Sequence, residues 1–192
     1  NLPENSKFRD ALTPADLHKL SAYLSTHDKR FFLAVQMEYY TFIRPTELSN
    51  IKLEDISIEH QTVYISSQIS KNRRDGMVAL NDKIIKLMIE LDVFKHTNSS
   101  YLFGRDFIPS EHQADARIFR DHFVTVRRAL DFPDTYQFYS LKDSGIRDLA
   151  NAEGIVVARD QARHTDITVT NKYLCGKDKQ VNEDTKHFNG EL

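Results

Sequence analysis

Residues 163–173 read Arg163-His164-Thr165-Asp166-Ile167-Thr168-Val169-Thr170-Asn171-Lys172-Tyr173. A polar turn leads into a short helical pattern, Ile167 to Leu174, and a tyrosine stands nine positions after the histidine. Tyr173 is one of eight tyrosines, and a tyrosine on a short C-terminal helix is usually a packing residue. His164 by itself suits a helix cap or a core position equally well. The stretch gains meaning only from what stands upstream of it.

Working back from it, Val156 to about Gln161 reads as a short helix. Another helical pattern begins after Tyr139 and stops near Gly154. Ile118, Phe119, Phe123, Val126 and Leu130 mark one face of an amphipathic helix, and Ile84, Leu87, Met88 and Leu91 mark one face of a second. Ser99-Ser100 and Gly104-Arg105-Asp106 read as loop. Between Ile56 and Leu80 the period changes. Ile56, Ile58, Val63 and Ile65 alternate or sit among β-branched neighbours, and Met77-Val78-Ala79-Leu80 is a further strand. The polar stretch Ser70 to Gly76 is the loop of a hairpin. Further upstream, Arg30 to Phe42 is apolar nearly all round, the pattern of a central buried helix. Pro45 should start a short helix running to about Asn50. Thr13-Pro14 followed by Asp16 is a helix start, with Leu17, Leu20 and Leu24 on one face to about Thr26. The expected fold class is mainly α with a small antiparallel β-sheet.

Composition bounds the function. A chain of 192 residues with 40% hydrophobic and 28% charged residues forms one domain with a real core, and is neither disordered nor membrane-spanning. The net charge of −2 argues against a surface that grips nucleic acid everywhere, so local clusters matter more. Two stand out: Lys71-Asn72-Arg73-Arg74, and the group Arg117, Arg120, Arg127 and Arg128. Each fits solvated helix and loop charges as well as a phosphate contact. The single cysteine, Cys175, excludes an internal disulfide framework and suits a reducing cytosol. The opening Asn1-Leu2-Pro3-Glu4-Asn5-Ser6 lacks the apolar core of a signal peptide and reads as a cut inside a longer protein. Residues 1–176 are expected to form the domain and 177–192 a polar, mobile tail.

Four separated segments, taken in order, resemble one family, the tyrosine recombinases of phage-integrase type. Thr41-Phe42-Ile43-Arg44-Pro45-Thr46-Glu47-Leu48 resembles its first box, an arginine followed three residues later by Glu-Leu. Ser70-Lys71-Asn72-Arg73-Arg74 falls in the hairpin where the family has a catalytic lysine. Tyr139-Ser140-Leu141-Lys142-Asp143-Ser144-Gly145 sits where the family has His-x-Leu-Arg-His-Thr. The stretch from Arg163 to Tyr173 resembles its last box. Any one box is weak, since Arg-x-x-Glu-Leu is common in helices; order and spacing together make the match specific.

The resemblance implies a catalytic domain that breaks and rejoins DNA strands. Tyr173 would be the nucleophile, forming a 3′-phosphotyrosine that a DNA hydroxyl can attack in turn. Charge growing on the non-bridging oxygens calls for fixed cationic donors, which Arg44, Lys142 and His164 would supply, with Glu47 orienting Arg44. The departing 5′-oxygen needs a general acid. Alignment favours Lys71, with Arg73 and Arg74 the alternatives; otherwise these two arginines, with Arg117 and Arg120, would bind DNA. No metal or cofactor is required in this scheme. The partners implied are double-stranded DNA recombination sites, reached with an N-terminal DNA-clamping domain absent from this chain, and a homotetramer during exchange. The expected location is the bacterial cytoplasm, on the nucleoid when DNA is bound.

The third box departs from the family. Tyr139 stands for a histidine, Lys142 for the second arginine and Asp143 for another histidine. A lysine keeps the charge and loses the two-pronged geometry, so the site should be weaker or differently arranged. Arg147 lies about 140° around a helix from Lys142 and cannot share its face. Tyr139 is a poor base at neutral pH, which leaves water or His164 to take the Tyr173 proton. Ser-Leu-Lys-Asp-Ser-Gly also resembles a variant third box in integrases of Bacteroides-like mobile elements.

Overall fold

Caps and prolines set the first helices. Thr13 Oγ1 accepts from Asp16 N at 3.2 Å and Pro14 occupies the first helical position, starting α1 (Pro14–His27). One residue, Asp28, separates it from α2 (Lys29–Thr41) and caps it by accepting from Phe31 N at 3.0 Å. The computed structural model describes residues 8–174. The segment expected to be a tail, and Cys175, lie outside the described residues.

α2 is buried around most of its circumference, as its apolar sequence requires, and forms the axis of the core. It ends at Phe42 in the left-handed conformation, φ 60°. α3 (Pro45–Leu48) follows. A three-stranded antiparallel sheet comes next, β1 (Ile56–Ser57), β2 (Thr62–Ile65) and β3 (Gly76–Ala79), in the order β1-β2-β3. The β2–β3 register pairs Val63 with Val78 and Ile65 with Gly76. Val63, Ile65 and Val78 face the core while Tyr64 and Met77 face out, the alternation a half-buried sheet demands.

α4 (Asp82–Glu90), capped by Asn81, and α5 (Arg117–Ala129) close the core. Phe31, Phe103, Phe107, Phe119, Phe123 and Phe138 meet there edge-on and stacked. The region expected as loop around Gly104 is more ordered than its composition suggests. Arg105–Phe107 forms a 3-10 turn, and Tyr101 bridges both Lys52 and Ser110.

α6 (Ser140–Glu153) packs directly on α2, and its first seven residues, Ser140 to Ile146, are all buried. Gly145 permits this: a Cβ there would sit 1.8 Å from the Tyr39 carbonyl oxygen. Gly154, φ 96°, ends α6 and turns the chain into α7 (Ile155–Gln161). α8 (Ile167–Asn171), capped by Asp166, and a 3-10 turn at Lys172–Leu174 complete the described chain. The mainly helical class with a small antiparallel sheet is as the sequence indicates. Helix α3 stops at Leu48, two residues short of expectation, because the chain turns there into the 3-10 turn Leu53–Asp55.

Candidate active site

Arg44 precedes a proline, which disfavours helical geometry there, and it is extended, φ −66° and ψ 148°. That puts its side chain at the mouth of α3, where Glu47, three residues on, reaches back to its backbone N–H at 3.2 Å. Glu47 is 0% exposed, so its pairing with Arg44 is not a surface bond. Its carboxylate accepts from Arg44 Nη1 at 3.4 Å, from the Lys71 backbone N–H at 3.2 Å and from Arg163 Nη2 at 2.5 Å. Burial pushes this carboxyl up, but the Arg163 hydrogen bond and charge, with the Arg44 and Lys71 amides, hold it below the usual range. Glu47 thus ties α3, the β2–β3 loop and the α7–α8 turn together.

Lys142 lies in the first turns of α6 and is 2% exposed, far less accessible than a simple surface phosphate ligand. Burial, and then the Arg44 charge, push its ammonium down to about 8, against the opposing pull of Glu38 and Glu47. Glu38, on α2, is fully buried, and neither of its carboxylate oxygens has a hydrogen-bond partner among the described residues. Burial drives its pKa well above the usual carboxylate range, which Lys142 partly offsets.

Asp143 is held by Arg9, whose Nε and Nη2 donate at 2.5 and 3.2 Å. The same guanidinium lies 4.4 Å over the Tyr139 ring. Burial raises the Tyr139 hydroxyl, so it is no better a base here than its chemistry suggests.

His164 follows the helix end of α7. Its Nδ1 is 3.0 Å from Oγ1 of the buried Thr170. If the hydroxyl donates, Nε2 remains an N–H donor. Burial, and then the charges of Lys142, Arg44 and Arg163, push its pKa down to about 4, so the ring is neutral at pH 7. Tyr173 is half-buried against a small apolar cluster of Phe42, Ile146, Ala158 and Ala162, its ring centroid 6.2 Å from that of His164. Burial raises its hydroxyl above 10, with Asp143 and Tyr139 adding to the rise and Arg9 and Arg44 opposing it.

Arg44, Lys142, His164 and Tyr173 therefore share one electrostatic neighbourhood. Lys71 joins through its backbone, with its side chain exposed on the loop beside exposed Arg73 and Arg74. Arg147 pairs with Asp148 and does not substitute for Lys142. Of the second basic cluster, Arg117 and Arg120 are exposed and paired with Asp115 and Asp121. Arg127 is neither a solvated charge nor a free phosphate contact. Its Nη1 donates to the Asp134 and Tyr136 carbonyls at 3.1 and 2.8 Å, and its side chain is largely buried, so it tethers the α5–α6 connection.

Sequence reasoning missed Arg9, Glu38, Thr170 and the part played by Arg163. Arg163 is the residue after the α7 C-cap Ala162 and adopts φ 56°. That position favours glycine, and a bulky residue there costs on the order of 1 kcal/mol. An arginine in a glycine-favoured turn was the available signal.

A family model described as the phage integrase family matches residues 10–180. A tyrosine recombinase of Thermosipho africanus (strain TCF52B) is 24% identical over 181 residues, covering 91% of this chain and 60% of that protein. The chain thus spans less than two thirds of that relative's length. The crystal structure of XerA recombinase superimposes with a TM-score of 0.73 at 17% identity, covering 94% of this chain and 65% of that one. The Tn1549 transposon integrase, solved with a circular intermediate DNA, gives a TM-score of 0.74 at 15% identity, covering 97% and 66%. Together with the boxes and the fold, the match over residues 10–180 establishes that the chain belongs to the phage integrase family.

Proposed function

We propose that this chain is the catalytic domain of a site-specific DNA recombinase, acting through a 3′-phosphotyrosine at Tyr173 to integrate or excise a mobile element. The observation that carries the reading is the Glu47 hub, which gathers Arg44, the Lys71 loop and the Arg163–His164 turn beside Lys142 and Tyr173. Four distant segments meet where a phosphodiester would need cations, an acid and a nucleophile.

In this scheme Tyr173 passes its phenol proton to water as its oxygen attacks phosphorus, the bond to the 5′-oxygen breaks, and the Lys71 ammonium gives that oxygen its proton. Arg44, a fork held by a buried carboxylate, takes the non-bridging oxygens without reorganising, and neutral His164 donates a further hydrogen bond. Lys142 supplies charge from behind. The phosphate's arrival would neutralise the cations that depress Lys142 and His164, raising both. Lys71, Arg73 and Arg74 on the hairpin loop, with Arg117 and Arg120 on α5, are exposed, and in this reading they contact duplex phosphates. The partners proposed for the whole protein are two DNA sites and three further copies of itself, with an N-terminal clamp. Among relatives with DNA complexes is the Tn1549 transposon integrase. The Tyr139, Lys142 and Asp143 variant of the third box supports a lineage like the integrases of Bacteroides-like mobile elements. No helix among the described residues is long and apolar enough to cross a membrane.

A second reading, a DNA-binding relative with weakened catalysis, is favoured by the burial of Lys142 and the capture of Asp143 by Arg9. One experiment separates the readings. Two differently labelled duplexes carrying the cognate site are mixed with the full-length protein, and joined strands are counted in a single turnover. Exchange between duplexes supports the recombinase. Resealing of each duplex alone indicates a topoisomerase-like enzyme, and binding without cleavage the weakened relative.

A further inference from the structure

We propose that Arg163 is a catalytic residue of this site, contacting the scissile phosphate and supplying the second guanidinium that the third box lacks; this rests on the recombinase reading above. Three independent observations converge on it. First, the residue aligned with the family's second arginine is Lys142, which is 2% exposed and can offer no paired N–H donors to an anion. The site has one planar fork, Arg44, where the chemistry of two non-bridging oxygens favours two.

Second, Arg163 occupies a backbone position that favours glycine. It follows a helix C-cap at φ 56°, immediately before His164. A residue held in such a conformation persists where its side chain is wanted at that spot. Gly76, the first residue of β3, leaves the space: a Cβ there would lie 2.9 Å from Arg163 Cδ.

Third, the charges are arranged for an anion. Arg44 and Arg163 donate to opposite oxygens of the same Glu47 carboxylate, Nη1 to Oε1 and Nη2 to Oε2. The Glu47 carboxylate is shared by two guanidiniums, and the nearby Lys142 ammonium is only partly offset by Glu38. The excess positive charge extends to His164 and Lys142, both of which feel Arg163 as a repelling neighbour. A phosphate entering beside Arg44 and His164 would complete the pairing. In the transition state Arg163 would donate to a non-bridging oxygen as Tyr173 attacks and the 5′-oxygen leaves, forming no covalent bond itself.

The test separates phosphate contact from mere support of Glu47. Single-turnover cleavage is measured with the full-length protein on a natural duplex, and on one carrying a methylphosphonate at the scissile position. The methylphosphonate removes one charged oxygen and so removes the need for one cation. Arg163→Ala should slow cleavage of the natural duplex by about 100- to 1,000-fold, the usual effect of losing one such donor. Arg163→Gln, an uncharged and shorter side chain, should be impaired similarly, and circular dichroism should show both variants folded at the assay temperature. Arg163→Lys should recover part of the rate. On the methylphosphonate both neutral variants should fall within about tenfold of wild type. Cleavage of the natural duplex at wild-type rate by Arg163→Gln would overturn the proposal, as would an equal deficit on both substrates. A wild-type protein that forms no covalent adduct would overturn the recombinase reading itself.

Discussion

Replacing Lys142 by methionine should make the protein more stable and less active. The ammonium is 2% exposed, and burial with the Arg44 charge lowers it from 10.5 to about 8. At about 1.4 kcal/mol per pH unit, holding it protonated at pH 7 costs the native state about 3 kcal/mol relative to the unfolded chain. Methionine matches the length of the lysine stem and fills the same space without charge. That figure already includes the opposing attraction of Glu38 and Glu47. The expected net is a stabilisation of about 1–3 kcal/mol at pH 7, read from urea denaturation. The pH dependence has a definite sign. Between about 8 and 10.5 the unfolded chain binds the proton that the native lysine has lost. Wild-type stability therefore rises with pH in that window and the advantage of Lys142→Met shrinks. Single-turnover DNA cleavage by the full-length variant should fall about 100-fold or more. A methionine variant less stable than wild type at pH 7, or an advantage unchanged at pH 10, would refute the reasoning.

Other outcomes follow from the same geometry. Glu47→Ala leaves two guanidiniums and the Lys71 amide without their acceptor, and should cost about 3–5 kcal/mol by chemical denaturation. The stability Glu47 contributes is present above the ordinary carboxylate range and is lost as pH falls through its depressed value. Gly145→Ala drives a methyl group into the Tyr39 carbonyl and the Phe42 ring, and should cost about 3 kcal/mol through the α2–α6 contact, with a matching fall in melting temperature. His164 should titrate near pH 4 by NMR without DNA, so native stability falls as pH drops from about 6.5 toward 4; DNA binding should move the value up.

Much of this was legible in the sequence because it is locally encoded. Thr13-Pro14, Asn81 and Gly154 set helix boundaries through capping and backbone freedom, and the near-continuous apolar run of α2 announced the core axis. The boxes around Arg44, Lys71, Lys142 and Tyr173 were found by order and spacing. What escaped depends on tertiary approach. Arg9 and Asp143 are 134 positions apart, and Glu47 and Arg163 are 116 apart, with nothing in either local pattern to announce a pair. Arg127 resembled its basic neighbours until the turn carbonyls of Asp134 and Tyr136 claimed it. Glu38 sits in a helix whose period assigns it to the core, yet a lone carboxylate inside a core becomes intelligible only with Lys142 on the facing helix.

The most direct test of the central claim is covalent trapping at Tyr173. The full-length protein is incubated, without added metal or ATP, with a cognate duplex nicked just 3′ of the cleavage point, so that a short fragment diffuses away and the intermediate accumulates. A protease-sensitive protein–DNA adduct should form, and mass spectrometry should place the nucleotide on the peptide containing Tyr173. Tyr173→Phe should bind the duplex and form no adduct. An adduct that survives this substitution, or that maps to another residue, would contradict the account.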